Sequence, residues 1–156
     1  MATSCEMLKR RHPWPAQEPN VPEDWHGWLR TDTHAMLYQH LNGNTRLVVE
    51  CGSWLGLSTR AILLGAPKAT VICCDHWKGS PDHQQNPDWT RRLGTLYETF
   101  LRNLWPWRDR VIPIRADSLD ALTEICQVGL VPDVIYIDTE HTYAQVSREL
   151  AFCTEH

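Results

Sequence analysis

No strong surplus of positive charge is present: 15 Lys and Arg stand against 19 Asp and Glu, a net of −4 with eight neutral histidines. A chain that grips phosphate backbones needs a basic stripe, so a general nucleic-acid binder is excluded. There is no apolar run near the roughly 20 residues that cross a bilayer, so no membrane span is expected. Over residues 1–20 the basic side chains are not followed by an apolar segment, so no secretory signal is read and the cytoplasm is the expected location. The six cysteines include no Cys-x-x-Cys pair, which removes spacing support for a structural zinc site. Cys73 and Cys74 are adjacent inside one apolar run and Cys51 lies in another, the pattern of reduced core thiols. No internal repeat is visible.

What is there is ordinary globular material. The chain has 156 residues, 42% hydrophobic and 22% charged, enough for one domain with a sizeable core. Tryptophan is over-represented, with eight copies. Pro13, Pro15, Pro19 and Pro22 fall close together in a polar stretch, so residues 1–24 read as an extended or mobile arm ahead of a domain over 25–156.

From Thr33 the chain alternates between helix and strand. Helical spacing over Thr33–Leu41 stops at Asn42-Gly43. Short apolar runs at Leu47–Cys51, Thr70–Cys74, Val111–Ile114 and Val134–Ile137 predict four strands. Helices are predicted over Ser58–Leu64, around Leu119–Cys126, and along one apolar face from Trp89 to Leu104. Lys78–Pro87 reads as a polar loop. Thr142 and Gln145 form a capping box for a last helix, with Tyr143, Val146, Leu150 and Cys153 on one face. Strands apolar throughout, separated by helices, predict a doubly wound, Rossmann-like, mostly parallel α/β sheet covered on both faces.

Such sheets bind ligands beyond the carboxyl ends of their strands. After the first strand comes Glu50-Cys51-Gly52-Ser53-Trp54-Leu55-Gly56, a loop in which Gly52 permits a tight turn and Gly56 a close approach. The spacing is neither Gly-x-Gly-x-x-Gly nor a P-loop, since no Gly-Lys-Ser/Thr follows. Glu50 at the loop entrance would repel phosphate and attract a cationic group such as an α-amino group or a sulfonium. Asp75 ends the second strand, the place from which an acid accepts hydrogen bonds from ribose hydroxyls. Asp117 and Ser118 follow the third strand, and Asp138 the fourth, with His141 three residues on. One strand-end acid is usually a cap or a solvated turn; four beside a glycine loop point to a ligand site.

These residues resemble a known family. Val49 to Thr59 resembles the first motif of class I S-adenosylmethionine-dependent methyltransferases. Asp133 to Tyr143 is similar to the "IDGDHSY" segment of the branch that holds macrocin- and sugar-type small-molecule O-methyltransferases. Cys74 to Ser80 and Arg110 to Ser118 also fit that branch. The resemblance implies that Glu50, Gly52, Ser53 and Gly56 line the amino-acid end of S-adenosylmethionine and that Asp75 holds the ribose. It implies that Asp117 and Ser118 lie by the adenine. His76 and Trp77, beside Asp75, join the cofactor side, with Trp77 as a wall. Asp138 is implied at the transferred methyl, as ligand of Mg2+ or another divalent cation or as the group that orients the acceptor. His141 is the candidate base.

The full fold of this type has seven strands and this sequence supplies four. The expectation is therefore a chain truncated at its C-terminus, with Val134–Ile137 as an exposed apolar edge open to a homodimer or to a partner's strands. The expected partner is a small-molecule methyl acceptor. Two other readings compete: a binding module that keeps the nucleoside pocket without catalysis, and a metal-dependent α/β hydrolase using Asp138 and His141.

Overall fold

A computed structural model describes residues 3–155. Four strands, β1 (Leu47–Cys51), β2 (Thr70–Asp75), β3 (Val111–Arg115) and β4 (Val134–Ile137), form one sheet in the order β3-β2-β1-β4. Every pairing is parallel. The helices are α1 (Ser4–Arg11), α2 (Thr31–His40), α3 (Leu57–Gly65), α4 (Pro81–Gln85), α5 (Pro87–Leu93), α6 (Leu96–Leu104), α7 (Ser118–Gln127) and α8 (Tyr143–Glu155). This is the Rossmann-like α/β arrangement that the apolar runs predict.

Side chains alternate across the sheet and build two cores. Val48, Val71, Cys73 and Val111 pack with Ile62, Phe100 and Leu104 on one face. Val49, Cys51, Ile72, Cys74 and Ile112 pack with Ala121, Leu122 and Ile125 on the other. All six cysteines are free thiols, and Cys51, Cys73 and Cys74 are buried in the strands as their apolar runs suggest. The strands β1, β2 and β3 step outward in one direction, and β4 then returns to the opposite flank of β1. The crevice of such a sheet opens at this reversal, so the loops after β1 and β4 face one another across it.

Three local expectations change. Residues 4–11 of the supposed arm form α1, capped by Thr3 and Glu6 in a reciprocal box. Leu8 is fully buried in the second core, Arg11 and His12 reach Glu124 on α7, and the Trp14 indole N–H donates to the Val111 carbonyl. The prolines that suggest an extended arm all lie after this helix. Second, the single face from Trp89 to Leu104 is split into α5 and α6 at Gly94, where glycine costs about 1 kcal/mol in a helix interior. The preceding polar loop contains α4, capped by Ser80. Third, the face of α8 is rotated from its expected one: Tyr143 is 90% exposed, while Glu149 is fully buried. Among the described residues no helix is long and apolar enough to cross a membrane.

Candidate functional site

The loop after β1 turns back at once. Gly52 has φ +89°, its N–H donates to the Cys74 carbonyl at 2.8 Å, and a Cβ there would drive into the carbonyl of Asp138. Glycine therefore lets the two loops of the crevice touch. Gly56, with φ +84°, is the N-cap of α3 and lies against Leu104 of α6.

Between them Trp54 has φ +48°, and Trp77 beyond β2 has φ +50°. A bulky residue in the left-handed region costs of order 1–3 kcal/mol and persists only where its surroundings hold it. Asp75 supplies the hold. Its Oδ2 accepts the Trp54 backbone N–H at 2.9 Å and its Oδ1 accepts that of Trp77 at 2.6 Å. The Trp77 indole N–H then donates to the Trp54 carbonyl at 2.8 Å. The loop is also gripped from α6, where the Asn103 amide donates to the Leu55 and Asp24 carbonyls, both at 2.8 Å. Burial pushes the Asp75 carboxyl up and the two backbone N–H groups oppose it. A carboxylate offers about four acceptor positions, so Asp75 keeps capacity for a ligand.

Glu50 is fully buried under the loop and accepts from the Thr59 hydroxyl of α3 at Oε2. Its Oε1 and the Ser53 hydroxyl make no hydrogen bond of good geometry, and the indole N–H of Trp54 is likewise buried without a partner. Burial raises the Glu50 carboxyl above its ordinary value, against the pull of the nearby Ser58, Thr59 and Ser53 hydroxyls; the charge of Asp138 raises it further. Buried polar atoms without partners are uncommon in folded proteins and call for an explanation. An acid near the end of β1 and a hydroxyl and an indole N–H from the loop that follows it suit a ligand that carries both a cation and hydrogen-bonding groups.

Gly52, Ser53, Trp54 and Asp138, with Gly27, Trp28 and Leu29, line a partly open cavity of about 30 Å³. That volume holds about two waters. Trp28 is 55% exposed and packs against Trp54, Trp89 and the stacked ring of His83.

On the other bank, Asp138 is 42% and His141 82% exposed, with Nε2 of His141 at 3.7 Å from Oδ1 of Asp138. Tyr136 donates its hydroxyl to Oδ2 of Asp138 at 3.2 Å. Burial, then the Asp138 charge, pushes the Tyr136 phenol far up, so it stays a donor. The reading of strand ends passes over Tyr136 because it sits inside β4, opposite Glu50 in register. Its signal is its place two residues before Asp138, on the same side of the strand.

The other expected residues divide. Trp77 is only 2% exposed and packs its ring on Tyr97 and Phe100, so it is a core residue in place of the expected pocket wall. His76 accepts the Lys78 N–H on Nδ1, which leaves its proton on Nε2 at the loop surface. Asp117 is exposed at the start of α7 and makes no capping bond. Ser118 turns its hydroxyl inward to the buried Glu149. Among the described residues no group of three or more His, Cys, Asp or Glu could hold a metal ion, so Asp138 and His141 alone do not compose the divalent-cation site considered from the sequence.

Two comparisons bear on the arrangement. A family model described as a methyltransferase domain matches residues 49–156. No curated protein matches the chain.

Proposed function

Because the chain belongs to this methyltransferase-domain family, we propose that its crevice binds S-adenosylmethionine and directs the methyl group to a hydroxyl of a small molecule. The observation that carries the reading is the set of buried polar atoms without a hydrogen bond of good geometry, Glu50 Oε1, Ser53 Oγ and Trp54 Nε1, in β1 and the loop that follows it. S-adenosylmethionine, when bound, supplies a methyl carbon already activated by its sulfonium, so the protein's work is alignment and proton handling.

Glu50 pairs with the ammonium group, a charge-assisted contact strengthened by its buried setting. Ser53 takes a second polar group of the amino-acid end. Asp75 uses its remaining acceptor positions for the ribose hydroxyls while its clamp on Trp54 and Trp77 keeps the loop in shape. Asp117 faces the adenine side. The cavity is too small for the whole ligand, so its lining, Trp28 included, gives way on binding.

The acceptor hydroxyl sits beside Asp138 and His141, donates its one proton toward His141 Nε2 and turns a lone pair toward the methyl. Tyr136 fixes the rotation of Asp138 from below. His141 Nε2 takes the hydroxyl proton, and the Asp138 carboxylate stabilises the imidazolium that results. No step is routed through a metal.

The test is incubation with S-adenosylmethionine labelled in its methyl group and a mixed panel of hydroxylated small molecules. The expected product carries label in ethers that survive mild base, and Asp138→Asn abolishes it. Label confined to amines or to base-labile esters, or full transfer by Asp138→Asn, would overturn the hydroxyl assignment.

A further inference from the structure

We propose that Glu149 is the positioning residue of this site, holding the loop after β4 in fixed relation to the first turn of α7. The carboxylate is fully buried. Its donors come from three separate places. The hydroxyl of Ser118, the first residue of α7, donates to Oε1. Gln145 in the first turn of α8 donates to the same oxygen at 2.8 Å. The hydroxyl of Thr139, next in sequence to Asp138, donates to Oε2 at 2.8 Å. Gln145 also bonds Ser118 Oγ at 3.0 Å, which closes the set into a ring of contacts.

Packing alone does not call for a carboxylate here. A buried charge loses hydration, and an apolar side chain of like size often packs as well or better. What an acid adds is direction: it draws hydroxyl and amide donors from different elements onto two defined oxygens. In this chain those donors belong to the turn bearing Asp138 and His141 and to the helix that begins at Asp117-Ser118. The clamp thus sets the spacing between the acceptor side and the adenine side. This role rests on the reading that both belong to one site.

The test follows amide hydrogen exchange by NMR in the full chain without ligand. Three amides report. Asp138 N–H is bonded to the Cys51 carbonyl, Ala121 N–H to that of Asp117, and Val71 N–H, at the far end of the sheet, to that of Arg110. In Glu149→Leu, exchange at Asp138 and Ala121 should rise by about tenfold or more, with Val71 unchanged. Glu149→Gln can still accept from Ser118 and Gln145 and donate to Thr139, so it should restore most of the protection. Equal acceleration at all three amides would show plain destabilisation and overturn the proposal, as would Glu149→Gln behaving like Glu149→Leu. If Glu149→Leu does not fold, Thr139→Val decides: it cuts one link and should free Asp138 while sparing Ala121, and unchanged exchange at Asp138 would reject the clamp. A parallel titration with S-adenosylhomocysteine separates the two claims. Silence with the unaltered chain rejects the cofactor reading, while the ligand-free exchange pattern decides the clamp by itself.

Discussion

At the end of β1 the side chains are buried and interlocked, whereas at the end of β4 they stand in solvent. Every residue of β1 is buried; every residue of β4 is half-buried. Glu50 and Ser53 are buried and Asp75 fixes two tryptophans in the left-handed region, while His141 keeps most of its surface exposed. The difference teaches where the fold spends its rigidity. On the proposed reading, the bank that meets the constant part of the reaction, the methyl donor, is the preorganised one. The bank that meets the acceptor is open and is steadied by only a few side chains, chiefly Tyr136 and Glu149.

If that contrast is right, substitutions should separate stability from chemistry according to the bank they strike. The largest effect is expected where the banks touch. Gly52→Ala forces a Cβ into the Asp138 carbonyl at a positive φ, and should cost about 3 kcal/mol or more of stability and abolish S-adenosylhomocysteine binding, read by thermal unfolding and calorimetry.

Next is Asp75→Ala. It strips acceptors from two backbone N–H groups, so roughly 2–4 kcal/mol of stability should go together with ligand affinity. Loss of affinity with an unchanged unfolding midpoint would show that Asp75 serves the ligand alone.

Glu50→Gln should weaken S-adenosylhomocysteine about tenfold at neutral pH. For the unaltered chain, affinity should fall as pH drops through the Glu50 value, which burial holds above the ordinary carboxylate near 4.3, because the protonated acid no longer pairs with an ammonium group. The stability effect has the opposite sign. A raised carboxyl pKa favours folding at low pH, and that contribution is lost as pH rises through it, so Glu50→Gln should not lower the neutral-pH unfolding midpoint. Calorimetry and unfolding across pH 4–8 check both signs.

The smallest structural effect belongs to the open bank. His141→Ala should stay within about 0.5 kcal/mol of the parent in stability and leave S-adenosylhomocysteine affinity unchanged, yet lower methyl transfer about a hundredfold.

The sheet was legible because parallel strands buried on both faces are largely apolar, a mark carried by the runs at 70–74 and, but for Glu50, at 47–51. The strand-end acids follow from where such sheets place their crevices. Other features depend on contacts distant in sequence. Trp77 looks like a loop aromatic until α6 arrives beneath it. α1 looks like part of a proline-rich arm until Leu8 finds the second core. Glu149 was hidden by a helical face drawn through Tyr143 and Leu150. The buried face runs through Val146, Glu149 and Cys153, and an acid at a core-facing step of a helix is the signal that could have found it.

The most direct measurement is a calorimetric titration of the 156-residue chain with S-adenosylhomocysteine, with NAD as control. Micromolar binding of S-adenosylhomocysteine alone is expected, lost in Gly52→Ala and weakened in Glu50→Gln. A folded chain that binds neither compound, or binds NAD as well, would contradict it.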